Sequence, residues 1–469
     1  MSFSSITQTT ITPHSQKPLT ERTYPKESEV SDAIQRAAKA QKEWKNVALK
    51  DRIKIAERFT EEFKKMENEI PLELTLQMGR PVAQNAGEIR GTLERAKYMI
   101  SIAESSLADV PLTDTDKPGF RRYIRREALG VVLIIAPWNF PYLTSINSVL
   151  PALIAGNAVI LKPSPQTPLT GERFAQAFYN AGLPKDLLIT LHLTPELTQY
   201  AVQHHLVNFV SFTGSVAGGR AVERAAAQAK TIKGVALELG GKDPAYVRPD
   251  ADLQYSVAEL VDGAFFNSGQ SCCAVERIYV HDSLYDDFVR EYAQQVQNYK
   301  LGDPTTEGIN LGPVVSVASA NRIRKQVADA VSQGAKPLIA EDKFPQATPG
   351  SAFVAPQVLV DVNHTMEVMT EETFGPVVGI QKVSSDEEAL KLMNDSPYGL
   401  TASIWSKSAP DSLVENLEFG TVFLNRCDYL DPALAWTGVK DSGRGISLSK
   451  FGYDQLTRAK SVHLKSLNP

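Results

Sequence analysis

Apolar residues in the first hundred positions recur at helical spacing. Ile55, Phe59, Phe63 and Met66 are four, four and three residues apart, which places them on one stripe of an amphipathic helix. The pattern stays helical from Glu27 to about Leu107, and Gly79 followed by Pro81 marks the stop of one helix. A polar loop, Leu112 to Gly119, leads into Phe120 to Glu127, whose alternation predicts a strand or hairpin with both faces partly wet. The pattern then changes to continuous apolar runs. Val131 to Ala136 ends at Pro137, Ala158 to Leu161 ends at Lys162-Pro163, and Val235-Ala236-Leu237 ends near Glu238. Val207 to Phe212, broken by Asn208 and Ser211, ends at Thr213-Gly214-Ser215. Such runs predict strands covered on both faces. Helix-compatible stretches, Thr170 to Ala181 and Gly218 to Lys230, lie between them, so the predicted fold is α/β with a parallel sheet.

The second half repeats the alternation. Leu253 to Phe266, Leu284 to Tyr299, Val314 to Gln333 and Ser384 to Met393 are expected helices. Arg277 to Val280, Val358 to Val360, Pro376 to Gln381 and Ser403 to Trp405 are expected strands, and the tail from Thr457 to Leu464 alternates again. A Pro/Gly-rich loop falls around Phe344 to Ala352, with no internal repeat or long low-complexity segment. Ligands of parallel sheets sit beyond the C-terminal strand ends, where this chain carries Trp138-Asn139, Lys162, Gly214-Ser215 and Glu238.

Candidate chemistry gathers at those ends and at Phe266 to Ala274. There Asn267-Ser268-Gly269, a turn-prone cluster, holds a thiol just beyond a helix. A catalytic cysteine needs partial exposure and nearby N–H dipoles that favour the thiolate; the competing reading is a small buried hydrophobe. Gly214 to Gly219 opens a helix after a strand, which suits a pyrophosphate or an ordinary tight turn, and its spacing is not G-x-G-x-x-G. Glu238 precedes Leu239-Gly240-Gly241 and is either a general base with a pKa raised by burial or a salt-bridged surface carboxylate. Asn139, between Pro137 and Pro141, is either an oxyanion donor or a helix cap.

Composition narrows the class. The chain of 469 residues allows two or three packed domains. With 49 basic and 54 acidic residues the formal charge is −5, which gives no pull toward nucleic acid or an anionic membrane. Arg121 to Arg126 is a short basic run expected on a solvated strand face. Three cysteines suit a reducing compartment rather than a disulfide framework. The stretch Met1 to Pro25 lacks the apolar core of a signal peptide, and no apolar run reaches membrane-spanning length, so a cytoplasmic protein is expected. Adjacent His204-His205 makes poor two-ligand geometry, no other metal spacing stands out, and Asp262 and Asp428 read as structural.

Six stretches occur in a telling order: Pro137-Trp138-Asn139-Phe140-Pro141, Lys162-Pro163-Ser164, Phe212-Thr213-Gly214-Ser215, Glu238-Leu239-Gly240-Gly241-Lys242, Gly269-Gln270-Ser271-Cys272 and Glu371-Glu372-Thr373-Phe374-Gly375-Pro376. Together they resemble the aldehyde dehydrogenase superfamily from about residue 27 onward. The resemblance implies a Rossmann-like NAD(P)-binding domain over 1–113 and 129–239 and a catalytic domain over 240–440. It also implies a small β oligomerisation element from 114–128 and 457–467, which suggests a homodimer or homotetramer. It implies that Cys272 attacks an aldehyde, that Asn139 and the Cys272 N–H hold the oxyanion, and that Glu238 activates water to release the acid. Cys273 is then bystander or resolving thiol, and Cys427 structural. For NAD or NADP it implies contacts from Trp138, Lys162, Ser164, Gly214, Ser215, Gly219, Leu239, Glu372 and Phe374. By family position Tyr142, Thr144, Leu430 and Trp436 line the substrate funnel.

Two departures leave points open. Pro165 stands where many NAD-preferring relatives carry a ribose-binding Glu, and proline neither makes that bond nor repels a 2′-phosphate. Ala435-Trp436-Thr437-Gly438-Val439-Lys440 stands where Pro-Phe-Gly-Gly-x-Lys is usual. The alternatives are a CoA-acylating semialdehyde dehydrogenase, disfavoured by Glu238, and a non-catalytic structural protein on the same fold, disfavoured by intact Asn139, Glu238 and Cys272.

Overall fold

The protein is described here by a computed structural model over residues 7–112, 119–408 and 411–467. Five of the strands form a parallel sheet in the order Leu188–Thr190, Ala158–Lys162, Val131–Ile135, Val207–Thr213, Gly234–Glu238, with Gly443–Arg444 antiparallel at the far edge. Val131–Ile135 is buried at every position, as its unbroken apolar run requires. The chain leaves this strand to one side for Ala158–Lys162 and returns to its other side for Val207–Thr213. The order therefore reverses beside Val131–Ile135, and a crevice opens beyond the strand ends there. Asn139 and Ser215 both follow strands that border it.

The second sheet has seven strands, ordered Lys336–Pro337, Gln357–Val360, Val377–Val383, Val275–His281, Asp243–Val247, Thr401–Trp405 and Thr421–Leu424. All pairs are parallel except the first. The chain passes from Glu238, the last residue of one sheet, to Asp243, the first of the other, through only Leu239-Gly240-Gly241-Lys242. Helix Leu253–Phe265 then crosses the second sheet and delivers the chain to the cysteine loop.

A third, antiparallel sheet pairs Phe120–Ala128 with Thr457–Lys465 over its whole length, and with Val110–Pro111 at its other edge. Positions 113–118 of the expected loop and of the expected oligomerisation segment lie outside the described residues, as do 1–6. The short strand Val110–Pro111 and the N-terminal hairpin of Thr7–Ile11 with Pro18–Thr23 were not expected. The hairpin alternates with period two, but its inward positions are Gln8 and Thr10, so hydrophobicity carries no trace of it. Among the described residues no helix is long and apolar enough to cross a membrane.

Aromatic packing corrects one expectation. Phe59 stacks on Phe178 with centroids 3.9 Å apart, and the Tyr142 ring lies 5.4 Å from Phe63 and 5.3 Å from Phe174. Tyr142 is fully buried in this cluster and is absent from the cleft wall. Its place at the start of helix Pro141–Ile154 turns the ring toward helix Leu49–Lys64. Burying a ring of this size stabilises the fold by roughly 2 kcal/mol.

Candidate active site

The reactive loop is shaped by backbone conformation before any side chain acts. Asn267, Ser268 and Gly269 are successively left-handed, with φ of 52°, 57° and 70°. Three such residues in a row are costly unless the surroundings fix them. A Cβ at Gly269 would lie 2.2 Å from the Gly375 carbonyl oxygen, so only glycine fits. Ser268 Oγ donates to Gly312 O at 2.9 Å, and Gln270 Oε1 accepts from Val315 N at 2.7 Å. These bonds pin the turn that presents Cys272, whose side chain is half-buried at the wall of a cavity of about 900 Å³. Gly241 lets the loop approach the link between the two sheets: a Cβ there would sit 2.4 Å from Cys272 O.

Asn139 and Glu238 face the same cavity. Asn139 Nδ2 donates to Gln270 O at 3.2 Å, tying the strand-end corner to the cysteine loop. Arg80 donates to Asn139 O and pairs with Glu88 at 2.6 Å, both side chains fully buried. Glu88 Oε1 in turn accepts from the Tyr142 N–H at 2.8 Å, so it caps the helix that begins there. The Cys272 N–H donates to no protein acceptor among the described residues, leaving it available beside the Asn139 amide. Glu238 Oε1 accepts from Ser447 Oγ at 2.6 Å and Oε2 from Thr213 Oγ1 at 3.4 Å. Burial pushes the Glu238 carboxyl above its usual range; Ser447, the charge of Arg95, Thr213 and Trp436 pull it partway back.

Cys273 differs sharply from its neighbour. It is buried, and Sγ donates to Asp428 Oδ1 at 2.9 Å, an oxygen that also accepts from Ser271 Oγ at 3.1 Å. The adjacent Cys272 sulfur, burial and Asp428 push its thiol well above the ordinary range. Burial also raises Asp428 to about 6, with Cys273 and Ser271 opposing. Cys427 packs against Gly263, where a Cβ would lie 2.4 Å from its sulfur.

The other end of the cavity is lined by strand ends and a helix start. Lys162, Ser164, Gly214 and Ser215 line it, with Trp138, Leu239, Glu372 and Phe374 nearer the cysteine. Ser215 caps helix Val216–Ala227 by accepting from Gly218 N, so the positive end of a 12-residue helix opens on the cavity. The Lys162 ammonium makes no ion pair among the described residues, and burial lowers its pKa to about 8. An unpaired cation beside a helix N-terminus fits a phosphate-bearing ligand. Gly219 does not line the cavity; it lets the helix meet Leu239, whose Cδ2 would lie 2.6 Å from a Cβ there. Glu372 Oε1 accepts from Gly241 N at 3.1 Å, and burial followed by the nearby Glu276 raises its carboxyl to about 8. The Trp138 and Phe374 rings meet edge to face at 5.5 Å.

Several contributors had escaped the sequence. Buried Glu276 pairs with Lys242 at 2.5 Å and accepts from the N–H groups of Thr373 and Phe374, each at 2.8 Å, which fixes the left-handed Phe374. Of the residues expected in the funnel, Thr144, Leu430 and Trp436 line the cavity; Arg95 and Asp428, which were not expected there, line it too. The missed signal lay in helix Val82–Ser101. Its inward residues Asn85, Glu88, Thr92 and Arg95 are polar at spacings of three, four and three, a polar stripe where a core-facing helix should be apolar.

Comparison with known proteins agrees with this arrangement. The sequence profile described as the aldehyde dehydrogenase family matches residues 2–462. The chain belongs to the aldehyde dehydrogenase family, and it is an oxidoreductase of that class. It is 33% identical to the mitochondrial succinate-semialdehyde dehydrogenase of Arabidopsis thaliana, covering 94% of this chain and 83% of that one. It is 35% identical to the NADP(+) succinate-semialdehyde dehydrogenase of Mycobacterium avium (strain 104), over 85% and 84%. The crystal structure of Escherichia coli lactaldehyde dehydrogenase superposes with a TM-score of 0.93 at 30% identity, over 99% of this chain and 96% of that one. PnpE, solved in complex with nicotinamide adenine dinucleotide, superposes with a TM-score of 0.93 at 27% identity, over 99% and 95%.

Proposed function

We propose that the protein oxidises an aldehyde to a carboxylic acid, with NAD or NADP as hydride acceptor, through a covalent intermediate on Cys272. The observation that carries this reading is one cavity where Cys272, its unpaired N–H, the Asn139 amide and Glu238 converge, with an unpaired Lys162 and a helix N-terminus at the far end. Residues 1–113 and 129–239 then make the cofactor domain and 240–440 the catalytic domain. The NADP(+) named for the M. avium relative and the dinucleotide named for PnpE support the cofactor class. A cytoplasmic homo-oligomer assembled through the Thr457–Lys465 sheet fits the same reading.

Cys272 Sγ, as the thiolate, adds to the carbonyl carbon: a C–S bond forms while the C=O π bond opens and its electron pair moves onto the oxygen. The Asn139 Nδ2–H and the Cys272 N–H donate to the oxygen as it gains charge, without having to reorganise. NAD or NADP, when bound, would accept the hydride that this carbon expels as its C=O bond re-forms to give a thioester. Glu238 takes a proton from the water that attacks the resulting thioester; the C–S bond breaks and the acid departs. A carboxylate with a burial-raised pKa suits that task. Cys273, bonded to Asp428 and held as a thiol, is spared.

The test compares three variants by reduced-nicotinamide absorbance. Cys272→Ala is expected to lose at least about 10⁴-fold in rate, whereas Cys273→Ala keeps activity within about tenfold. Glu238→Gln is expected to give a burst of one reduced dinucleotide per site, then turnover slower by about 10²- to 10³-fold. A surviving Cys272→Ala activity, or unchanged steady-state turnover in Glu238→Gln, overturns the assignment.

A further inference from the structure

We infer that Arg95 recognises an anionic group on the aldehyde, so that the preferred substrates carry a carboxylate at the end remote from the carbonyl. This rests on the dehydrogenase reading and names its substrate class. Arg95 is only 8% exposed, yet it lines the cavity. Its Nη1 donates to Leu143 O at 2.7 Å and to Asn147 Oδ1 at 3.3 Å, and among the described residues it makes no other hydrogen bond and no ion pair. Nε and Nη2 are therefore left without protein acceptors. Guanidinium N–H groups held out of bulk water without acceptors are costly, and a ligand that supplies acceptors and a directly paired negative charge recovers that cost.

The nearby carboxylates are already engaged. Glu88 pairs with Arg80 and caps a helix, Glu94 accepts from Tyr429 Oη, and Glu238 is held by Ser447 and Thr213. Gly87, on the same helix, also lines the cavity and leaves open space there: an added Cβ would meet nothing nearer than Arg90 Nη2 at 3.9 Å. Arg80 is neutralised by Glu88, and the planar fork of the Arg95 guanidinium matches a carboxylate. Arg95 is also near enough to Glu238 and Cys273 to act on both electrostatically, so an anion bound there belongs to the tail of a short molecule whose head reaches Cys272.

The experiment is a substrate panel with wild-type enzyme and each dinucleotide: 4-oxobutanoate and 5-oxopentanoate, butanal and pentanal, and 4-aminobutanal. The oxo acids are expected to exceed the alkanals in kcat/KM by about 100-fold or more, with the aminoaldehyde poorest. Arg95→Gln is expected to collapse that ratio to near one through KM, and Arg95→Lys to restore part of it. Succinate binding by calorimetry, present in wild type and lost in Arg95→Gln, reads the subsite without turnover; the wild-type panel stands even if the variant folds poorly. Equal use of oxo acids and alkanals, a preference for 4-aminobutanal, or equal losses on both series in Arg95→Gln overturns the subsite and leaves the dehydrogenase intact. Absence of turnover on every aldehyde, with succinate still bound through Arg95, overturns the dehydrogenase reading instead.

Discussion

The two ends of the cavity are built from different materials. At the Lys162 end, strand termini and helix starts do the shaping, and backbone contributes much of the wall: the Ser215 helix N-terminus and the turn that follows Glu238 stand beside the Lys162 side chain. At the Arg95 end, side chains from helix Val82–Ser101 and from the loop around Asp428 to Trp436 form the wall. Backbone features constrain sequence tightly, because few residues fit a left-handed turn or a close approach. A side-chain wall tolerates exchange. One end is thus the more constrained in sequence, the other the freer to change.

Perturbing the two ends separately sharpens that contrast. The largest effect is expected from Lys242→Met, which leaves buried Glu276 with its charge unpaired. Loss of one partner from such a pair costs about 3 kcal/mol or more, to be measured by urea unfolding. Because Glu276 holds the Thr373 and Phe374 N–H groups, KM for the dinucleotide should rise severalfold while KM for the aldehyde stays put; the reverse would break the distinction between the ends.

A smaller effect is expected at Glu372, whose carboxyl is raised to about 8 by burial and Glu276. Its folded pKa lies above the unfolded value of roughly 4.3, so the folded state binds the extra proton between them. Stability from this group is full below that lower value and is lost as pH rises toward 8. Glu372→Gln should therefore flatten the fall in Tm of the ligand-free protein between pH 5 and pH 8; an unchanged slope would remove Glu372 as its cause. The smallest effect is expected from Tyr142→Phe. The hydroxyl has no partner, so removal should shift stability by less than about 1 kcal/mol and leave KM for aldehydes unchanged. A large KM change would return Tyr142 to the funnel.

What could be read from the sequence follows the same division. The apolar runs at Val131 to Ala136 and Ala158 to Leu161 marked buried strands, because a strand covered on both faces has no polar positions to spare. Asn139 and Lys162 lie at their ends, and Ser215 lies in the turn after the mixed run Val207 to Phe212. Periodicity missed the N-terminal hairpin, whose inward residues are Gln8 and Thr10, and it missed Glu276, which sits in a strand expected only from Arg277. Position in a motif suggested Tyr142 for the funnel, but a helix start fixes the backbone and not the direction of the ring. Asp428, read from sequence as structural, lies against Ser271 and Cys273; only a folded chain brings residues this far apart into contact.

The link of four residues between the sheets has a mechanical consequence. Leu239 to Lys242 can span no more than about 14 Å even when fully drawn out. Glu238 stands at its start, and the Cys272 carbonyl presses on Gly241 within it. If the two sheets part about this link, as a book opens about its spine, the outer margin of the cleft moves furthest, and the Cys272 loop and Glu238, both beside the link, move least relative to one another.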